Sequence, residues 1–381
     1  MFLQSYRRRK KENLKYYELL SEEMKKTLKG AGFTTPMPIQ EKTLQLILSG
    51  WDIIGLAQTG TGKTAAFAVP IIEEARREEP GIQALVICPT RELALQITGV
   101  FRQLSAHTKL RTVSVYGGQS VNVQLKALRA GAQIVVGTPG RVLDLIRRGA
   151  LKLSHVNTVV LDEADEMLNF GFLPDIRAIF SHIKGEHQTL LFSATMNQAV
   201  LGITRQFQDD PVRIEVSPSN EPIQTVKHSY FTASGRQKPH AVKYLINQSN
   251  PRLALVFCNT KRCVKMLQRE LEYQGLPASC LHGDMTQSQR DRIMDMFRKG
   301  RTTVLVATDV AARGIDVKDI DLVINYDVPD KMEYYVHRIG RTGRAGCAGR
   351  ACTLVSPQDI GLISDIERRF RIRLTEEKAL G

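Results

Sequence analysis

Asp52-Ile53-Ile54-Gly55-Leu56-Ala57-Gln58-Thr59-Gly60-Thr61-Gly62-Lys63-Thr64-Ala65-Ala66-Phe67 decides how the chain is read. Beyond Asp52 the run to Leu56 is apolar without polar alternation, as expected of a strand buried on both faces. A glycine-punctuated loop follows, and Ala65 opens a helical stretch. Such a loop between strand and helix turns successive backbone N–H groups toward an anion at the helix N-terminus. Lys63 adds positive charge for the outer phosphates of a nucleotide, and the Thr64 hydroxyl suits Mg²⁺. The strict phosphate-loop pattern has glycine where Ala57 stands, so the reading leans on the Gly-Lys-Thr string and its strand-loop-helix context together.

Outward from this stretch the rhythm repeats. Apolar β-branched runs at Ala84 to Cys88, Thr112 to Tyr116, Gln133 to Val136, Thr158 to Leu161 and Thr189 to Phe192 alternate with longer helical segments. That alternation predicts a doubly wound α/β domain on a parallel sheet. Upstream, a helical pattern runs from Tyr16 to Ala31 and closes at Gly32. The polar, Pro-rich stretch from Ser217 to Pro222 reads as a linker. Beyond it Leu253 to Phe257, Thr303 to Ala307, Asp321 to Asn325 and Ala351 to Val355 restart the pattern. The expected organisation is a basic extension over 1–14, a nucleotide-binding domain over 15–216, a linker over 217–222, and a second α/β domain with a short tail over 223–381.

A chain of 381 residues, 43% hydrophobic and 24% charged, is long enough for two packed cores and argues against general disorder. The 53 Lys and Arg against 39 Asp and Glu give +14, a surplus that suits a polyanionic partner. The run Arg7-Arg8-Arg9-Lys10-Lys11 reads equally as a phosphate contact and as a solvated tail, with a nuclear address as a third reading. No apolar run approaches the length of a membrane span, and the first twenty residues lack a signal-peptide core, so a soluble, cytoplasmic protein is expected. The six cysteines contain no CxxC. Cys258/Cys263 and Cys347/Cys352 share a spacing, but Cys258 ends an apolar run and Cys263 opens a helical one, so their thiols need not converge. Ordinary thiols in a reducing compartment are the expectation.

After the Thr158 run comes Asp162-Glu163-Ala164-Asp165, with carboxylates where open α/β sheets bind ligands. One acid can hold Mg²⁺ while its neighbour orients a water, and phosphoryl transfer needs little beyond positioning and charge neutralisation. An acidic first turn of a helix is the plainer reading. In the second half, His337-Arg338-Ile339-Gly340-Arg341-Thr342-Gly343-Arg344 spaces three guanidinium groups around two glycines, a poor core segment and a good anion clamp.

Taken in order, Gly32-Phe33 to Gln40, Ala57 to Thr64, Pro89-Thr90-Arg91-Glu92-Leu93, Gly117-Gly118, Thr138-Pro139-Gly140-Arg141, Asp162 to Asp165 and Ser193-Ala194-Thr195 fill the first half. Val256 to Thr260, Gln287 to Arg290, Thr308 to Asp316 and His337 to Arg344 fill the second. Their set and order closely resemble the DEAD-box family of ATP-dependent RNA helicases, from about Tyr16 to Val355. The resemblance implies two tandem RecA-like domains that close on ATP and RNA and separate short duplexes locally, without long-range translocation.

The resemblance also implies roles. Gln40 would select adenine and Phe33 would belong to the same element, with Tyr16 or Tyr17 as the upstream stacking aromatic; Met37 departs from the usual Thr or Ser. Gln58, Thr59, Gly60, Thr61, Gly62, Lys63 and Thr64 would bind the phosphates, and Asp316 the ribose. Thr64 and Asp162 would hold Mg²⁺, Glu163 would orient the lytic water, and Arg341 and Arg344 would stabilise transition-state charge. Asp165, Ser193, Thr195 and His337 would couple hydrolysis to movement. RNA would follow Pro89, Thr90, Arg91, Gly117, Gly118, Thr138, Pro139, Gly140 and Arg141, then Gln287, Arg290 and Thr308, on the side opposite the nucleotide. Caps for Ser193, Thr195 and Asp316, a plain turn at Gly117-Gly118 and a surface ion pair for Arg91 are the bland alternatives. Contacts to phosphate position without reading sequence. Partners in ribonucleoprotein, RNA degradation or ribosome assembly stay open, with a monomer as the default.

Three rival readings differ in kind. A DNA-directed relative would be told apart by contacts to the 2′-hydroxyl. A GTPase would carry an Asn-Lys-x-Asp reader, and Asn259-Thr260-Lys261-Arg262 lacks its order and its acid. A passive RNA clamp would bind without turnover.

Overall fold

The computed structural model describes residues 16–57, 60–79, 81–216, 226–312, 320–343 and 349–377. The chain divides into two compact units, Met1–Pro218 and Ser219–Gly381. The expected linker over 217–222 and the basic run Arg7 to Lys11 lie outside the described residues.

Seven strands build the first sheet: β1 (Ile53–Leu56), β2 (Ala84–Ile87), β3 (Thr112–Val115), β4 (Ile134–Gly137), β5 (Thr158–Leu161), β6 (Gln188–Ser193) and β7 (Val212–Glu215). They lie in the order β3-β4-β2-β5-β6-β1-β7, and every pairing is parallel. Seven more build the second: β8 (Val226–Thr232), β9 (Ala254–Phe257), β10 (Ala278–Leu281), β11 (Val304–Ala307), β12 (Leu322–Asn325), β13 (Gly349–Val355) and β14 (Thr375–Glu376). Their order, β10-β11-β9-β12-β13-β8-β14, is that of the first sheet with seven added to each number, again wholly parallel.

Continuous apolar strands need cover on both faces, and both sheets have it. Along β1 and β6, Ile53, Leu190 and Phe192 enter a core shared with helices Pro38–Leu48, Lys63–Glu74 and Arg91–Leu104. Ile54, Leu56 and Leu191 enter the opposite core with helices Pro139–Arg147, Leu173–Phe180 and Gln198–Phe207. In the second unit Ala254 and Val256 face helices Lys238–Ser249 and Lys261–Tyr273, while Leu255 and Phe257 face helix Gln287–Arg298.

The helical pattern expected from Tyr16 to Ala31 is interrupted. A 3₁₀ turn covers Tyr16–Leu19 and the α-helix spans Glu22–Gly30, because the Ser21 hydroxyl accepts from Met24 N and starts a new helix there. Ser21 Oγ and N also donate to the Glu73 carboxylate at 2.8 and 3.2 Å, which ties this element to helix Lys63–Glu74.

Close backbone approach makes two strand glycines necessary. A Cβ at Gly55 would stand 2.5 Å from the Phe192 ring, and one at Gly137 would stand 2.6 Å from the Val115 carbonyl oxygen. The second clash is with backbone, which cannot swing aside. Gly137→Ala is expected to destabilise the first unit by about 1–3 kcal/mol, read as an earlier chemical-denaturation transition of that unit; an unchanged midpoint would show that β3 and β4 tolerate separation.

Candidate nucleotide and RNA site

All strands of a parallel sheet leave by one edge, and in the first unit the described phosphate, carboxylate, hydroxyl and RNA candidates follow strands at that edge. Neighbours β1, β6 and β5 deliver the phosphate loop, Ser193 with Thr195, and Asp162 with Glu163. The register sets Leu56 beside Ser193 and Leu161 beside Leu191.

Lys63 opens the helix Lys63–Glu74 behind Gly62, whose φ of 83° is left-handed, and Gly60 has a φ of 90°. The Lys63 Nζ is buried and makes no hydrogen bond among the described residues. A buried ammonium without acceptors is costly, and a phosphate would supply both charge and acceptors. Gln40, buried, donates from Nε2 to the Gly62 carbonyl at 3.1 Å and accepts at Oε1 from Met37 N at 3.0 Å. The residue expected to read adenine therefore also braces the phosphate loop. Tyr17 donates from its hydroxyl to the Phe33 carbonyl at 3.1 Å, whereas Tyr16 is buried in the core. Of the two candidate aromatics, Tyr17 is the one joined to Phe33.

Asp162 is 2% exposed, and Glu163 N donates to its Oδ1 at 3.0 Å. Burial pushes its carboxyl up to about 6, against the pull of the Lys63 ammonium, while the Glu163 carboxylate raises it further. Glu163 itself stands at φ 52° and ψ 51°, a left-handed conformation that strains a residue with a long side chain. Asp165 Oδ2 accepts from both the N and Oγ1 of Thr195, at 3.0 and 2.9 Å, and Ser193 Oγ donates to the Thr195 carbonyl at 2.8 Å. Asp165 is thereby locked to the exit of β6, and Ser193 Oγ also accepts from Thr195 N at 3.4 Å, the turn contact of the plainer reading.

The exits of β2, β4 and β3, on the other half of the edge, carry the RNA candidates. Thr90 caps helix Arg91–Leu104, accepting at Oγ1 from Leu93 N at 3.2 Å. The Arg91 guanidinium lies over the Tyr116 ring, 4.6 Å from its centroid. Gly118 has a φ of 79°. Arg141 Nη1 donates to the Gln119 carbonyl at 3.2 Å and to Gln124 Oε1 at 2.9 Å, while Gln124 Nε2 donates to the Tyr116 carbonyl at 2.9 Å. Tyr116, Gln119 and Gln124 thus join Arg91 to Arg141. The sequence reading missed them, although a glutamine within the short helix Val121–Arg129 was a usable signal. Thr138, Pro139 and Gly140 lead from β4 into helix Pro139–Arg147. These residues leave by the same edge as Lys63 and Asp162 and are displaced along it.

In the second unit Arg290 Nη2 donates to the Ala311 carbonyl at 3.3 Å, and Thr308 Oγ1 accepts from Ala311 N at 3.3 Å. They follow β10 and β11, the counterparts of β3 and β4. Gln287 begins helix Gln287–Arg298, with its side chain outside the described residues. Arg338 differs from its sequence reading as one of three anion-binding guanidiniums. It is 1% exposed, forms two 2.6 Å bonds to the Asp309 carboxylate, and donates to the Asp327 carbonyl and to Asn259 Oδ1, each at 2.7 Å. It is a structural hub. Arg341, also buried, donates from Nε to the His337 carbonyl at 3.2 Å. Gln58, Thr59, Asp316 and Arg344 lie outside the described residues.

The DEAD/DEAH box helicase family matches residues 37–202, and the helicase conserved C-terminal domain matches residues 237–346. The DEAD-box ATP-dependent RNA helicase CshA of Geobacillus kaustophilus is 45% identical over 359 residues, 94% of this chain and 77% of that one. The chain belongs to the DEAD-box family of ATP-dependent RNA helicases. The protein of the same name from Bacillus subtilis is 44% identical over 359 residues, covering 94% and 73%. Among solved structures, S. cerevisiae Dbp5 bound to RNA and ADP BeF3 matches this DEAD-box chain with a TM-score of 0.85 at 32% identity, over 95% of each chain. The two sheets are accordingly the tandem RecA-like domains of a DEAD-box helicase.

The raised Asp162 carboxyl gives this DEAD-box protein a stability signature. The folded state holds the proton more tightly than the unfolded chain does, so the associated stability is present below about pH 4 and is lost as pH rises through about 6. Without nucleotide, Asp162→Asn is expected to be more stable than the parent at pH 8 by about 2–3 kcal/mol, with the difference closing near pH 4. Parallel melting curves for the two proteins across that range would contradict the assignment.

Proposed function

We propose that this DEAD-box protein is an RNA-stimulated ATPase that couples ATP binding and hydrolysis to closure of its two domains on RNA, opening short duplexes locally or remodelling ribonucleoprotein. One observation carries the reading: a single sheet edge presents the buried, unsatisfied Lys63 ammonium beside Asp162 and Glu163, and next to them the linked Arg91 and Arg141. The domains are taken as 15–216 and 223–381.

Lys63 and the backbone from Gln58 to Thr64 bind the phosphates, Gln40 and Phe33 bind adenine, and Asp316 binds the ribose. The buried carboxylate of Asp162 and the hydroxyl of Thr64, next in sequence to Lys63, are oxygen donors suited to a hard cation and would hold Mg²⁺. Bound there, the ion would neutralise charge on the phosphates. Glu163 accepts a proton from the attacking water and orients it, and its strained backbone supports a functional placement. Arg341 and Arg344 meet the charge that develops in the transition state, which makes turnover depend on closure. Asp165, through Thr195 and Ser193, passes a change at the phosphates to the exit of β6, and His337 acts similarly in the second domain.

RNA lies along Pro89, Thr90, Arg91, Gly117, Gly118 and Thr138 to Arg141, and continues over Gln287, Arg290 and Thr308. Recognition is of the backbone, so affinity falls steeply with salt and is largely blind to sequence. Dbp5 in its RNA-bound structure and the CshA relatives by name support RNA over DNA. Among the described residues no helix is long and apolar enough to cross a membrane. The described cysteines are free, as a reducing compartment such as the cytoplasm would keep them, and a monomer is taken as the default.

Glu163→Gln is expected to keep ATP and RNA affinity while lowering RNA-stimulated turnover by about 10²–10⁴-fold. The check is a steady-state ATPase titration with RNA and with DNA of matched length, repeated across salt, beside equilibrium binding of both ligands. Normal turnover in the variant would remove Glu163 from its role. Tight RNA binding by the parent without any turnover would replace the motor with a passive clamp.

A further inference from the structure

Cys258 and Cys263 converge, which the sequence spacing did not demand. Cys258 is the first residue after β9, and Cys263 is the third of helix Lys261–Tyr273. Between them Thr260 caps that helix, its Oγ1 accepting from Cys263 N at 3.2 Å, and this tight reversal carries the second thiol back to the first. Asp327 arrives from the adjacent strand: β12 pairs with β9 so that Asn325 lies beside Phe257, and Asp327 stands two residues beyond. The two sulfur atoms and one Asp327 oxygen all lie within 4.8 Å of one another.

We propose that Cys258, Cys263 and Asp327 form a binding site for a thiophilic divalent cation of the zinc class, separate from the nucleotide site of the first unit. Tetrahedral zinc with bonds of about 2.3 Å to sulfur and about 2.0 Å to oxygen sets its ligand atoms roughly 3.5–3.8 Å apart, a spacing these side chains reach by small rotations. Two sulfurs select against Mg²⁺ and Ca²⁺, which prefer oxygen.

The surroundings fit this use. Asp327 is pre-oriented, its Oδ2 accepting from Asn259 N at 3.0 Å. Two thiolates and a carboxylate carry three negative charges, so a divalent ion leaves one, and the Lys238 ammonium 3.8 Å from Asp327 Oδ1 offsets it. Lys238 also donates to the Tyr326 carbonyl at 2.9 Å and so stays in place when the ion enters. Cys258 is buried while Cys263 and Asp327 are half-buried, which leaves an entry path and a fourth coordination position on their side. Binding releases the two thiol protons to solvent and changes no oxidation state. Asn259 also accepts from Arg338, so an ion here braces the loop on which the Arg338–Asp309 pair leans.

The test is a Co²⁺ titration of the reduced full chain in excess Mg²⁺, which fills hard oxygen sites. One equivalent should bind with intense sulfur-to-metal charge-transfer absorption in the near ultraviolet, and Zn²⁺ should bleach it. Cys263→Ser, at a half-buried position where folding is not at stake, should weaken binding by more than about tenfold and remove the band, while Cys280→Ser should leave both intact. No sulfur band at large excess of Co²⁺, or a band that survives Cys263→Ser, overturns the site. So does a Cys258–Cys263 disulfide that forms equally fast under mild peroxide with and without Zn²⁺.

Discussion

Parallel pairing delivers every strand exit of a sheet to the same edge, and the chemistry of this protein depends on that constraint. In the first unit the edge is ordered by the register of β1, β6 and β5, and Gly55 lets β1 approach the Phe192 ring of β6. Without that contact the phosphate loop and the Asp162 carboxylate would lose the common frame that sets them one strand apart. The same edge continues through β2, β4 and β3, so the candidate RNA residues inherit their placement from the ladder that places the nucleotide residues. Two ligands of like charge can then be held side by side by one rigid body, which is the physical basis for linking their affinities.

Local rules are broken where the edge bears its chemistry. An ammonium is buried without acceptors at Lys63, a carboxyl is buried at Asp162, and Glu163 occupies a left-handed backbone conformation. Each is unfavourable by itself, and their coincidence on two strands separated only by β6 marks stability given up for function. Asp165 contrasts with them. Its carboxylate accepts three hydrogen bonds, from Glu166 N and from the N and Oγ1 of Thr195, so it is the satisfied member that fixes the others' position.

Most of the fold was legible because continuous apolar runs leave little choice. The run Thr158 to Leu161 is β5 to the residue, and the other quoted runs differ from their strands by only a residue or two at the ends. The strands that the apolar reading did not single out are those with mixed sequence. β7 includes Arg213 and Glu215, β8 includes Lys227, His228 and Ser229, β10 includes Ser279 and Cys280, and the two-residue β14 is exposed. The motif strings located the candidate residues, but not which side chains the fold would enclose. Arg338 and Arg341 look alike in sequence. Arg338 lies on the face of helix Met332–Ile339 that also buries Tyr335, where Asp309, Asn259 and the Asp327 carbonyl wait for it. Nothing in the spacing of arginines encodes partners supplied by three other segments. The meeting of Cys258 and Cys263 was hidden for the same reason, since it requires both the Thr260 cap and the neighbouring strand β12.

The shared strand order turns the second unit into an internal comparison. Where the first has a Gly-Lys-Thr loop after β1, the second has Ala233-Ser234-Gly235-Arg236-Gln237 after β8, and its helix opens on Lys238-Pro239 in place of Lys63-Thr64, with the Lys238 ammonium already held by Asp327 and the Tyr326 carbonyl. The half of the edge formed by β9, β11 and β10 changed less: Thr260 caps its helix as Thr90 does, and Thr308 follows β11 as Thr138 follows β4. One half of the edge thus carries the same backbone devices in both units, while the Gly-Lys-Thr cradle stands after β1 and not after β8. A sheet without a phosphate cradle at β8 can carry different chemistry at the exits of β8 and β12. Asp327, beyond β12 on the counterpart of the strand that carries Asp162, meets two thiols as well as Lys238, which opens the helix after β8 as Lys63 opens the helix after β1. The divergence of the two edges therefore follows from residue content at a few strand exits, with the ladder beneath them unchanged.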